Sequence, residues 1–186
     1  MSGDRLFDLV ERIGALLRSE LRRLGAPHGL EPVHLQALAY LARANRYSDT
    51  PIAVAEFLGL TKGNVSQRLI ALEKAGLLRR RPDRDDARVV HLVPTAKAQT
   101  LLEALSPPPA WRTATAAVAG DQEGVETALA TLLSALQGAN GRRTFGQCRS
   151  CRFLQRKDGA FTCGLTHDPL EPDHTLRLCR EHEPAA

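Results

Sequence analysis

Apolar residues recur at helical spacing along most of the chain. Over residues 4–24, Leu6, Val10, Ile13, Leu17, Leu21 and Leu24 step by four and three, which is one face of an α-helix. Leu9 and Leu16 widen that stripe, and Arg12, Arg18, Glu20 and Arg22 fall among the solvent positions. Gly25-Ala26-Pro27-His28-Gly29 ends the helix. So wide an apolar face suits burial against a partner chain as well as core packing. A second helix is predicted from about residue 31 to 43, with Val33, Leu35, Leu38 and Leu41 apolar. Pro51 fits the first turn of a short helix through Leu58, and Gly59 then makes a turn. Thr61 is the expected N-cap of a helix from Lys62 to Lys74 that stops at Gly76. Val65, Leu69 and Leu72 share one of its faces. Gly63, Gln67 and Lys74 lie opposite, with Asn64 and Ser66 to either side.

Two strand-like runs follow, residues 77–81 and 88–93, joined by the polar stretch 82–87 as in a hairpin. A helix is predicted from about residue 94 to 106, where Pro107-Pro108-Pro109 stops it. Another, from 121 to about 138, carries Val125, Leu129, Leu132, Leu133 and Leu136. Ala139-Asn140-Gly141 marks a boundary, which divides the chain into residues 1–138 and a tail of residues 139–186. The expected fold is mainly α with a small β-hairpin, an α+β arrangement.

Charge sharpens this reading. The chain has 186 residues, 43% apolar and 25% charged, an ordinary globular composition with only 4% aromatics. Its formal net charge is +4. That whole excess falls between residues 61 and 91, where Lys62, Arg68, Lys74, Arg79, Arg80, Arg81, Arg84 and Arg88 face Glu73, Asp83, Asp85 and Asp86. Charge alone fits a solvated basic face; a helix, a Gly turn, a second helix and a basic hairpin in that order make a winged helix-turn-helix. A helix fits the major groove, where short polar side chains near its leading end can read base edges. A cationic hairpin can flank it on the backbone or in a narrow minor groove. Thr61, Lys62, Asn64, Ser66, Gln67 and Arg68 are the expected DNA-facing residues of the helix, with Arg84 at the hairpin tip. Arg88 either joins them or pairs with Asp86 and stiffens the hairpin.

The segment Phe57-Leu58-Gly59-Leu60-Thr61-Lys62-Gly63-Asn64-Val65-Ser66-Gln67-Arg68-Leu69, then Leu72-Glu73-Lys74-Ala75-Gly76-Leu77-Leu78, resembles the recognition segment of the MarR family of bacterial transcriptional regulators. Residues 82–90 through Pro94-Thr95 are similar to that family's wing and the helix after it. The resemblance spans about residues 4–138. It implies a homodimer on a pseudo-palindromic double-stranded DNA operator, acting as a repressor, with the first and last helices packed between subunits. Pro107-Pro108-Pro109 interrupts a helix that is longer in the family, so a rearranged dimer interface is expected.

All four cysteines lie in the tail, as Cys148-x2-Cys151-x11-Cys163-x15-Cys179. A close pair of thiolates can grip an ion from one tight turn, and two more complete a tetrahedral or cluster site. Free thiols or a disulfide pair are the plain alternative. A metal would also staple a tail with few large apolar residues. A 4Fe–4S cluster is favoured, because a zinc ribbon normally brings a second Cys-x2-Cys. Zinc remains the alternative, with Cys163-Gly164 knuckle-like and His182 near Cys179. His182, His167 and His174 are expected at the surface, and Arg149, Arg152, Arg156 and Lys157 either offset the charge of the centre or face solvent.

These features together predict a regulator whose tail senses redox state, oxygen or metal. The alternatives are a structural zinc with a small-molecule effector, or a winged helix that binds protein. No Gly-rich phosphate loop, serine elbow or His-Glu-x-x-His stands in the sequence, so no enzyme is expected. No apolar run reaches a membrane span, and Met1-Ser2-Gly3-Asp4-Arg5-Leu6-Phe7-Asp8 carries charge where a signal peptide needs apolar residues. The expectation is a cytoplasmic protein with no membrane partner.

Overall fold

The computed structural model describes residues 4–84, 86–157 and 159–185; Asp85 of the hairpin connection and Met1, Ser2 and Gly3 lie outside them. Helix α1 (Arg5–Gly25) starts where the Asp4 carboxylate accepts the N–H groups of Leu6 and Phe7. Helix α2 (Pro32–Leu41) opens with Glu31 and His34 capping each other's backbone. Helices α3 (Pro51–Leu58) and α4 (Lys62–Lys74) are capped by the hydroxyls of Thr50 and Thr61, which accept from Ala53 and Asn64. Gly59, at φ 66°, makes the left-handed turn between them, a conformation that a Cβ would strain. Strands β1 (Leu78–Pro82) and β2 (Val90–Pro94) pair antiparallel with Arg80 opposite Leu92, and α5 (Ala96–Leu105) follows from the Thr95 cap. The architecture is mostly helical with a small antiparallel wing, as the sequence pattern predicts.

Two parts depart from that pattern. The proline run does end α5, but Pro109 then opens a further helix, α6 (Pro109–Ala116), at a position where a missing N–H costs nothing. Helix α7 (Gln122–Ala139) comes next. In the tail, where the pattern predicts no strand, β3 (Leu154–Lys157), β4 (Ala160–Cys163) and β5 (Pro169–Leu170) form an antiparallel sheet in that order.

One core runs under α2, α3, α4, the wing and α5, with Leu38, Val54, Leu69, Leu72, Leu92 and Ala98 fully buried. The tail contributes to it. Phe145 is 6% exposed and meets Tyr40 and Phe57 edge-on, at ring separations of 5.9 and 5.3 Å. Tyr40 and Phe57 are themselves stacked at 4.3 Å. In contrast, α1 and α7 leave apolar faces uncovered, with Phe7 65% and Leu136 58% exposed. Among the described residues no helix is long and apolar enough to cross a membrane.

Candidate nucleic-acid interface and cysteine cavity

Helix α4 buries Val65, Leu69 and Leu72 and turns Lys62, Gly63, Asn64, Ser66 and Gln67 outward. Thr61 is exposed too, with its hydroxyl engaged as the cap. These are the short polar side chains expected at a reading end. Arg68 differs: its guanidinium is paired with Glu31 at the start of α2, at 2.5 Å, so it braces α4 against α2. On the wing, Arg88 grips Asp86 through two bonds of 2.9 Å, the stiffening role, while remaining exposed. Arg80 is held in the same way by Glu73. Arg81 and Arg84 are exposed, and among the described residues neither makes an ion pair.

The base of the wing is pinned by a buried histidine. His91 on β2 has Asp49 at 2.6 Å from Nδ1 and Asp83 at 2.8 Å from Nε2. Burial opposes protonation of the imidazole, but the two carboxylates outweigh it and its pKa is raised. Burial also raises the pKa of Asp49, against the pull of His91 and of the Arg81 charge. The Asp49 carbonyl accepts the Leu92 N–H at 2.7 Å, a second tie between the α2–α3 loop and the wing.

The same loop holds the tail. Asn45 donates its N–H to the Leu178 carbonyl, and Leu178 donates back to Arg43. The Ser48 hydroxyl accepts the Arg180 N–H at 2.7 Å, and Arg180 forks onto Glu56 of α3 at 2.6 and 2.7 Å. Arg46 pairs with Asp168 at 2.7 Å. Burial of the tail is tight at Gly146, where an added Cβ would stand 2.4 Å from the His182 ring. His182 is therefore no surface residue: it is buried, within hydrogen-bond distance of Thr144 and Ser150. His167 and His174 are exposed as expected.

All four cysteines are unpaired, and all four line one cavity of about 700 Å³ between the tail and the wing. Cys148 and Cys179 are buried and share a hydrogen bond. That bond, reinforced by Asn45 and by the Glu181 N–H against the cost of burial, lowers the Cys179 pKa to about 6; Cys148 is correspondingly raised. The Asn45 amide lies 3.8 Å from the Cys148 sulfur. Among the described residues no three Cys, His, Asp or Glu side chains close on one point as ligands of a single ion. The cysteines stand around a space instead. Arg149, Arg152 and Arg156 face solvent; the arginines that line this space are Arg46, Arg81, Arg84 and Arg180, none of which the spacing of the tail could have pointed to.

The model of the MarR family matches residues 28–89, from the start of α2 through the wing. Among solved structures, S. aureus MepR in its DNA-binding conformation has a TM-score of 0.61 at 22% identity, over 71% of this chain and 98% of that one. S. aureus MepR in complex with DNA scores 0.55 at 22% identity, over 69% of this chain and 96% of that one. CouR from Rhodococcus jostii, bound to p-coumaroyl-CoA, scores 0.53 at 22% identity, over 73% of this chain and 92% of that one. These likenesses establish the winged-helix fold. Comparison with curated proteins gives no match.

Proposed function

We propose that this chain is a MarR-type transcriptional regulator that binds operator DNA as a homodimer and carries a metal centre on its four cysteines. The observation that carries the reading is the exposed row Lys62, Asn64, Ser66 and Gln67 on α4, beside a wing whose exposed Arg81 and Arg84 make no ion pair among the described residues. Paired arginines serve the fold, whereas unpaired ones beside a protruding helix are available to phosphate. The family match over α2 to the wing, and the fold shared with a protein seen on DNA, support the same reading. The uncovered apolar faces of α1 (Leu6, Phe7, Val10, Ile13) and α7 (Leu129, Leu133, Leu136) support a second copy as the partner. A dimer presents two α4 helices to successive major grooves, which makes the operator pseudo-palindromic.

The four cysteines that line one cavity are the residues read as holding the centre. Four thiols around one cavity, with hydrogen-bond donors at Cys148 and Cys179, suit an iron–sulfur cluster of the 4Fe–4S type. Cys148, Cys151, Cys163 and Cys179 would hold it, and it would supply a centre that responds to oxidation.

DNA binding is tested by titrating a random-sequence duplex against the full chain at several salt concentrations. Binding that weakens steeply with salt is the expected result, and no binding at low salt rejects the reading. The centre is tested by anaerobic purification with an absorption spectrum and iron, sulfide and zinc analysis. Iron and sulfide in near-equal amounts are expected; one zinc per chain would make the tail a structural staple.

A further inference from the structure

The segment that leads from α7 into the tail lies against the turn of the helix-turn-helix. Gly59 makes that turn at φ 66°, and a Cβ there would stand 2.6 Å from a terminal nitrogen of Arg142 and 3.5 Å from its guanidinium carbon. The Arg142 guanidinium thus rests on the backbone that leads into Thr61 and the first turn of α4. Phe145, three residues on, anchors the segment in the core beside Phe57. Arg143 ties it to Glu56 of α3 at 3.6 Å and to Glu181. Buried and paired neighbours therefore place Arg142, which has no partner of its own among the described residues.

Charge around this turn does not balance. Glu56 and Glu181 are both taken up by Arg143 and Arg180, two carboxylates for two guanidinium groups. Lys62 and Arg142 are left over: both are exposed, and among the described residues neither makes an ion pair. The leading end of a recognition helix enters the major groove between two sugar-phosphate strands. A guanidinium whose donors are unspent can fork onto a phosphate there.

We propose that the tail is part of the DNA-binding surface, with Arg142 holding a backbone phosphate beside the leading end of α4. This rests on the DNA-binding reading above and extends the interface beyond residues 28–89, which the family model matches. A phosphate contact fixes orientation and adds affinity without reading sequence. Arg142 therefore strengthens binding to every duplex alike, and it does so only while Arg143 and Phe145 keep the segment docked.

The experiment titrates one random-sequence duplex with the full chain and three variants, R142Q, R142K and R12Q, over a range of salt. Arg142 is exposed and its side chain makes no hydrogen bond among the described residues, so its substitution leaves the fold in place. Arg12, at a solvent position of α1, controls for the loss of one positive charge. R142Q is expected to bind roughly three- to tenfold more weakly, with a salt slope shallower by about 0.9 for each phosphate contact withdrawn. R142K should keep the native slope, and R12Q should match the native chain. Native affinity and slope in R142Q would overturn the inference while leaving the DNA-binding reading intact. So would equal losses in R142Q and R12Q, which would trace the effect to net charge, or a slope in R142K as shallow as in R142Q. No binding by the native chain at low salt would remove the DNA-binding reading itself.

Discussion

Helix α4 and the cysteine tail place their polar side chains in opposite ways. Helix α4 gives three residues to the core, Val65, Leu69 and Leu72, and leaves Lys62, Asn64, Ser66 and Gln67 in water. The tail buries Cys148, Cys179 and His182 and lends Phe145 to the core of the other region. On the proposed function, a surface that meets DNA needs donors that are free, and a centre that holds its ligands still needs donors that are already satisfied, as the Asn45 amide would be for Cys148. Residues 45–49 touch both regions, since Asn45 and Ser48 hold the tail while Asp49 holds the wing through His91 and Leu92.

The largest way to break this contrast is at Phe145. If the tail is part of the winged-helix core, Phe145→Ala should cost about 3–5 kcal/mol and lower the whole molecule's urea midpoint in one transition. Two separate transitions, with the winged helix unmoved, would make the tail an independent module. On the exposed side, Gln67→Ala should relax preference at one base-pair position by about 1–3 kcal/mol, whereas Lys62→Ala should weaken binding to every sequence alike. Operator titrations that show no positional effect would mean that another face of α4 reads the bases.

A subtler test uses the His91 clamp that lies between the regions. Its folded pKa is raised above the ordinary 6.5. A raised pKa gives stability that is complete below the unfolded value and is lost as pH rises through the folded one. The wing is thus expected to loosen on the alkaline side, seen as a falling thermal midpoint, and His91→Gln should flatten that part of the profile. A midpoint that rises with pH there would contradict the clamp. The smallest effect belongs to Arg88, whose side chain is 90% exposed. Arg88→Ala should leave the thermal midpoint essentially unchanged. A large loss of DNA affinity in that variant would assign Arg88 to the interface rather than to the hairpin.

Legibility in the sequence followed the range of the interactions. Helix α4 and the wing were readable because apolar spacing, the Thr61 cap and the polar 82–87 connection are local signals. Helix α6 was not, since a proline run reads first as a stop, and only the free N-terminal position of Pro109 turns it into a start. In the tail, the Asp158-Gly159 dipeptide between short apolar runs was an available hairpin signal for β3 and β4. Other features lay beyond any local rule. The Arg180–Glu56 fork and the Asn45–Cys148 contact join residues 124 and 103 positions apart. The burial of His182 and the two wing arginines at the cysteine cavity have the same long-range origin.

The tie between Ser48 and Arg180 spans 132 positions, and its length has a consequence for how the molecule is born. Synthesis runs from the N-terminus, so α2 to β2 emerge well before Phe145 and the cysteines. Closing so long a loop comes late and is slow. Each newly made chain must therefore present helix α4 before its tail can dock, and the undocked state is the ancestor of every docked one.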